Sequence, residues 1–89
     1  MNQLHVETEL EAYICENFLE GDRALTSKTP LLDWGILTSM NTTLLITFIR
    51  EHFGPSVPPA SITATNFRDL DSIARLVVDL HVSERGTAE

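Results

Sequence analysis

In three stretches of this chain the apolar residues return every third or fourth position, the spacing that gathers them on one face of an α-helix. No stretch shows the alternation of a half-buried strand, so the pattern predicts an all-α fold. The first stretch covers about residues 7–20. Val6, Leu10, Tyr13, Ile14 and Phe18 share a stripe, and Glu9, Ala12, Glu16 and Glu20 fall away from it. Gly21 follows as a helix stop. The second stretch runs from Ser39 to about Phe53. Leu45, Ile49 and Phe53 form its core stripe, with Thr42, Ile46 and Phe48 at the borders. Met40, Thr43, Leu44, Thr47 and Glu51 lie opposite, and Gly54-Pro55 ends the helix. The third stretch covers about residues 69–81, with Asp69 as its cap. Leu70, Ile73, Ala74, Val77 and Leu80 are its core, and Asp71, Ser72, Arg75 and Asp79 are expected to face solvent.

The connections complete the expected architecture. Residues 55–67 contain Pro58-Pro59 and are expected to hold one short helical turn around Ser61 to Thr65. Residues 83–89 are polar and expected to be a flexible tail. The fold expected is a small four-helix bundle: three main helices, a short third helix, and a core spanning about residues 6–81. Residues 1–89 read as one domain, since 89 residues leave no room for a second core.

The connection at residues 21–38 is unusually long for so small a domain, and long loops are often functional. Leu31, Leu32, Ile36 and Leu37 should tie it to the core. It delivers the chain to Ser39, where either Thr38 or Ser39 can cap the second helix. A hydroxyl at a helix N-terminus also suits attachment of a phosphate, because free N–H groups and the helix dipole favour an anion there. Capping and attachment are both open readings of Ser39.

Composition narrows the classes of function. Acidic residues number 13 and basic residues 6, a formal charge of −7. That balance argues against nucleic acid and against an anionic membrane surface, both of which call for clustered Lys and Arg. The single cysteine, Cys15, allows no internal disulfide and fits a reducing, cytoplasmic setting. The first residues lack the basic start and apolar run of a signal peptide, and no apolar run approaches the ~18 residues of a membrane span. His5, His52 and His81 lie on separate elements, so no metal site is expected. Neither a nucleophilic triad in a cleft nor a glycine-rich phosphate loop is legible, and no catalytic residue is expected. Cys15 should be a small buried or border hydrophobe.

Taken together, the chain resembles an acyl or peptidyl carrier protein of the phosphopantetheine-dependent family, over about residues 6–81. The likeness rests on Thr29-Pro30-Leu31-Leu32-Asp33-Trp34-Gly35-Ile36-Leu37-Thr38-Ser39-Met40, on Phe53-Gly54 closing the second helix, on Pro58-Pro59, and on Asn66-Phe67 before the last helix. Carrier proteins typically show a Gly, an apolar pair, then Asp-Ser-Leu at the start of that helix. The resemblance implies that Ser39 holds a 4′-phosphopantetheine arm, placed there by a phosphopantetheinyl transferase. The thiol of the arm would carry an acyl or aminoacyl group as a thioester, and the protein would itself be no enzyme. It would be monomeric. An adenylating acyl or aminoacyl ligase would load it, and a downstream dehydrogenase or acyltransferase would use the cargo.

Two departures shape this expectation. Thr38 stands where the family usually has Asp, and Met40 stands where Leu is common. The outer face of the second helix carries Leu44 and only one acid, Glu51, where fatty-acid-type carriers present several. Docking should then rest on apolar contact, with Trp34, Thr38, Met40, Thr43, Leu44 and Thr47 as the candidate surface. Met40 and Leu44 could instead bury against the loop, and Trp34 could be a loop anchor. In these respects the chain is similar to free-standing carriers of secondary-metabolite (antibiotic) pathways, such as those that hold pyrrole-2-carboxyl groups in aminocoumarin assembly. The alternative is a helical interaction module with a carrier-like fold that is never modified; Thr38 favours it, and Ser39 at the helix start favours the carrier.

Overall fold

The structure is a computed structural model; it describes residues 2–19 and 25–87, and for 84–87 the backbone alone. Three α-helices follow in order: α1 (Gln3–Phe18), α2 (Ser39–Phe53) and α3 (Leu70–Thr87). A single 3-10 turn, Pro59–Ser61, lies between α2 and α3. Among the described residues there is no strand, as the periodicity predicts. The short third helix expected around Ser61 to Thr65 is this one turn, set earlier because Pro59 fixes the first helical φ. Among the described residues the three main helices are therefore present, and the expected short helix is reduced to this turn.

The helix ends are set by side chains as much as by apolar spacing. α1 begins at Gln3, four residues before the expected start, because Asn2 caps it by accepting the Leu4 N–H at 2.7 Å. Its expected end at Glu20 and the stop at Gly21 lie outside the described residues. α2 keeps its expected bounds. Gly54 closes it at φ +104°, donating its N–H to the Ile49 and Arg50 carbonyls. Asp69 caps α3 through the Ser72 N–H at 2.8 Å, as expected. The helix then runs to Thr87, six residues beyond His81, so most of the expected flexible tail is helical. Each added residue gains a backbone bond at little nucleation cost once a helix is established.

The core joins Val6, Leu10, Ile14 and Cys15 of α1 to Leu45 and Ile49 of α2 and to Leu70, Ile73, Ala74 and Val77 of α3. Tyr13, Phe18, Phe53 and Leu80 of the expected stripes are half-buried at its edge. α1 packs along α3, with their N-terminal ends together. α2 meets α1 mainly through side chains: the Tyr13 and Phe48 rings stack at 4.2 Å, and Phe48 stacks on His52 at 4.9 Å. The Tyr13 hydroxyl donates to the Leu44 carbonyl at 3.4 Å, and His52 Nε2 lies 3.0 Å from Glu9 Oε1.

Two residues expected to face solvent do otherwise. Asp71 and Ser72 are half-buried. Asp71 accepts from Gln3 Nε2 at 2.8 Å, Lys28 Nζ at 3.1 Å and Arg75 Nη2 at 3.2 Å, and its N–H donates to the Ser27 carbonyl. It thereby fastens the start of α1, the loop and the start of α3 to one carboxylate. Its neighbour Asp69 is buried, which pushes its carboxyl pKa up. The Ser72 N–H and hydroxyl and the Arg68 guanidinium more than offset this and hold it below the ordinary Asp value.

Candidate functional site

The long loop has internal structure that places Ser39. Leu31 donates its N–H to the Arg68 carbonyl at 2.8 Å, which fixes the loop to the segment before α3. The Leu31 carbonyl then accepts the N–H groups of Ile36 and Leu37. Between them the chain turns back, with Trp34 N–H donating to Pro30 and Gly35 N–H to Leu32. Gly35 sits at φ +73°, a left-handed backbone that favours glycine. Leu31, Ile36 and Leu37 are buried, as expected. Leu32 is not; the turn that buries Leu31 points its neighbour outward.

Thr38 is the cap of α2. Its backbone is extended, and its Oγ1 accepts the Asn41 N–H at 3.1 Å. Asn41 in turn donates through Nδ2 to the Ile36 carbonyl at 2.8 Å, binding the first turn to the loop. Ser39 is the first helical residue and is exposed. Among the described residues its hydroxyl has no hydrogen-bond partner; only its carbonyl is engaged, by the Thr43 hydroxyl. No acidic residue occupies the first turn of α2. The positive end of the helix dipole at Ser39 is therefore uncompensated by any carboxylate of that turn.

The other candidate residues divide into two groups. Met40, Thr43, Leu44 and Thr47 share one outer face of α2, at helical spacing. Met40 is 73% exposed and Leu44 45%, so neither is buried against the loop. The Thr43 hydroxyl donates to the Ser39 carbonyl at 3.0 Å and the Thr47 hydroxyl to the Thr43 carbonyl at 3.1 Å. With those donors satisfied inside the helix, the face offers methyl groups and thioether, and no charge before Arg50 and Glu51. Trp34 stands apart from them on the loop turn, 61% exposed, so its ring is no core anchor.

An open hollow of about 340 Å³ adjoins Ser39, lined by Leu32, Leu37, Thr42, Ile46 and Ile62 among others. Sequence periodicity had no means of finding Leu32 and Ile62 as parts of it, since both lie on loops. Among the described residues no group of His, Cys, Asp or Glu could hold a metal ion. Cys15 is buried, as expected. Among the described residues no helix is long and apolar enough to cross a membrane.

Neither a family model nor a curated protein matches this chain. A chain in a solved structure described as "Crystal structure of FAD-dependent dehydrogenase" does. It is 33% identical, with a TM-score of 0.74, and the match covers 78% of this chain and 99% of that one. The matched chain is thus itself only about 70 residues long. By that identity and coverage, this chain and that one belong to one family of small helical domains.

Proposed function

We propose that the protein is a carrier: Ser39 holds a 4′-phosphopantetheine arm, and partner enzymes work on an acyl or aminoacyl group tethered to it as a thioester. One observation carries the reading. Capping of α2 falls to Thr38, so the Ser39 hydroxyl is left exposed and unengaged at the helix N-terminus. A serine needed only as a cap would be bonded to its own helix. The phosphodiester formed there would lie against the free N–H groups of the first turn and would call for no basic side chain. Thr38 takes the place of the Asp usual in this family and keeps the capping bond while giving up the charge. On this reading the 3-10 turn at Pro59–Ser61 would take the place of the short third helix of such carriers.

The carrier does no bond chemistry. It raises the effective concentration of its cargo at whichever enzyme it docks on. A phosphopantetheinyl transferase, an adenylating ligase and a dehydrogenase or acyltransferase are the partners this implies. The likeness to a chain in a structure described as an FAD-dependent dehydrogenase favours a dehydrogenase among them. Among the described residues there is no nucleotide-binding sheet, so that activity would belong to the partner. The pathway would be one of secondary metabolism, located in the cytoplasm. Docking would use Met40, Thr43, Leu44 and Thr47 beside Ser39, with Trp34 and Thr38 at the loop end.

Intact mass tests the reading. After incubation with coenzyme A and a promiscuous phosphopantetheinyl transferase, the protein should gain one pantetheinyl adduct, and Ser39→Ala should gain none. Absence of the adduct with several transferases would leave the unmodified interaction module as the better account.

A further inference from the structure

Thr38 caps α2 although its neighbour is intrinsically the better cap. Serine outranks threonine at the cap position of a helix, and Ser39 stands one residue further on. In a helix that began one residue later, Ser39 would be the cap. Its hydroxyl would then accept the Thr42 N–H, as Thr38 Oγ1 now accepts the N–H of Asn41. The hydroxyl would no longer be free to react. Something beyond cap preference must hold α2 to the earlier start.

Asn41 is bonded so as to do this. Its backbone N–H donates to Thr38 Oγ1 at 3.1 Å, and its side-chain Nδ2 donates to the Ile36 carbonyl at 2.8 Å. Ile36 is a firm anchor: it is buried, and its own N–H donates to the Leu31 carbonyl at 3.0 Å. Leu31 is fixed in turn by its N–H to the Arg68 carbonyl. The Asn41 amide thus ties the first turn of α2 to a loop segment held by the chain before α3. Among the described residues no other side chain of α2 hydrogen-bonds to that loop. The bond spans residues 37–40, so any change in the backbone of Ser39 alters its reach. It therefore belongs to the start at Ser39 and would be strained or lost if Ser39 left the helix to become the cap.

We propose that Asn41 is a positioning residue for the modification of Ser39: its side-chain amide holds α2 to the start at which Thr38 caps, and so keeps the Ser39 hydroxyl free for the phosphopantetheinyl transferase. This rests on the carrier reading of Ser39 and adds to it a residue that acts without touching the arm. One typical hydrogen bond shifts a balance between two such states about fivefold. Without it Ser39 competes for the cap. Molecules with Ser39 at the cap still present Met40 and Leu44 on later turns, so they dock on the transferase and fail to react.

The test measures pantetheinylation of the full chain by a promiscuous transferase with coenzyme A, followed by intact mass. In Asn41→Leu, which keeps the volume, and in Asn41→Ala, which does not, kcat should fall about fivefold while KM for the carrier stays as in wild type. Both replacements are better helix formers than Asn, which favours retention of the fold. Thermal unfolding adds a readout that needs no modification. Thr38→Ala, which should cost the wild type roughly 4–8 °C in Tm, should cost Asn41→Leu less than about half of that, because Ser39 takes over the cap. Ser39→Ala, neutral in the wild type, should lower the Tm of Asn41→Leu. A rise in KM at constant kcat would make Asn41 a contact of the transferase and overturn the positioning role. Wild-type kinetics in both Asn41 variants would overturn it too, as would cap substitutions that cost the same in both backgrounds. A wild type that no transferase modifies would overturn the carrier reading, and the positioning role with it, whatever the unfolding temperatures show.

Discussion

Removing the Thr38 hydroxyl and removing the Ser39 hydroxyl should have opposite consequences for stability, although the residues are neighbours. Thr38 Oγ1 accepts the Asn41 N–H, which has no other partner in the first turn of α2. Loss of such a cap typically costs about 1 kcal/mol. For a domain of 60–100 residues that amount lowers Tm by roughly 4–8 °C. Thr38→Ala should show this loss and Thr38→Ser should recover most of it. The Ser39 hydroxyl contributes no bond to the fold, and alanine is the better helix former by a few tenths of a kcal/mol. Ser39→Ala should therefore unfold at the wild-type temperature or slightly above it, while losing all pantetheinylation. Thermal and urea unfolding followed by far-UV circular dichroism measures both variants. If Ser39→Ala falls by as much as Thr38→Ala, the serine is the cap and the argument for its chemical role collapses. If neither falls, the cap is of no energetic consequence and the assignment to Thr38 is wrong.

Three further outcomes are expected. Leu44→Glu should slow acyl loading by the cognate ligase about tenfold while Tm stays within a few degrees, because the side chain lies on the exposed face of α2; wild-type loading would remove Leu44 from the docking surface. Loading of the wild type should change little between 50 and 500 mM salt, since that face is uncharged, and a steep decline would point to charged docking instead. For Asp69, a carboxyl pKa held below its unfolded value stabilises the fold above the unfolded pKa, and this contribution is lost as pH falls through the folded pKa. Asp69→Asn should flatten that acid limb in urea titrations from pH 7 to pH 2, and an unchanged limb would show that other carboxyls set it.

Much of the fold was legible because the signals were local. The stripes Val6–Leu10–Ile14 and Leu70–Ile73–Ala74–Val77 are periodic, and all seven residues are buried. The bounds of α2 could be read because Thr38, Gly54 and Pro55 mark them with side-chain and backbone chemistry. The early start of α1 was missed because Asn2 caps a first turn, Gln3, Leu4 and His5, that adds nothing to the apolar stripe. Asp71 was misplaced for a different reason. Its face of α3 looks solvated by spacing alone, and only the folded chain brings Gln3 and Lys28 to it from 68 and 43 residues away. Ser39 was found, but whether it or Thr38 does the capping is a question of one hydrogen bond and needed the structure.

The unequal attachment of the helices bears on how the molecule opens. α1 and α3 lie along one another and share most of the interior, so their amide protons should be released only by global unfolding. α2 is joined to them by Leu45, Ile49 and an aromatic stack at the edge of the core, a smaller and separable set of contacts. In native-state hydrogen exchange its amides should report a lower opening free energy than those of its neighbours. The helix that begins with Ser39 could then tilt within an enzyme's cleft while the α1–α3 pair stays folded beneath it.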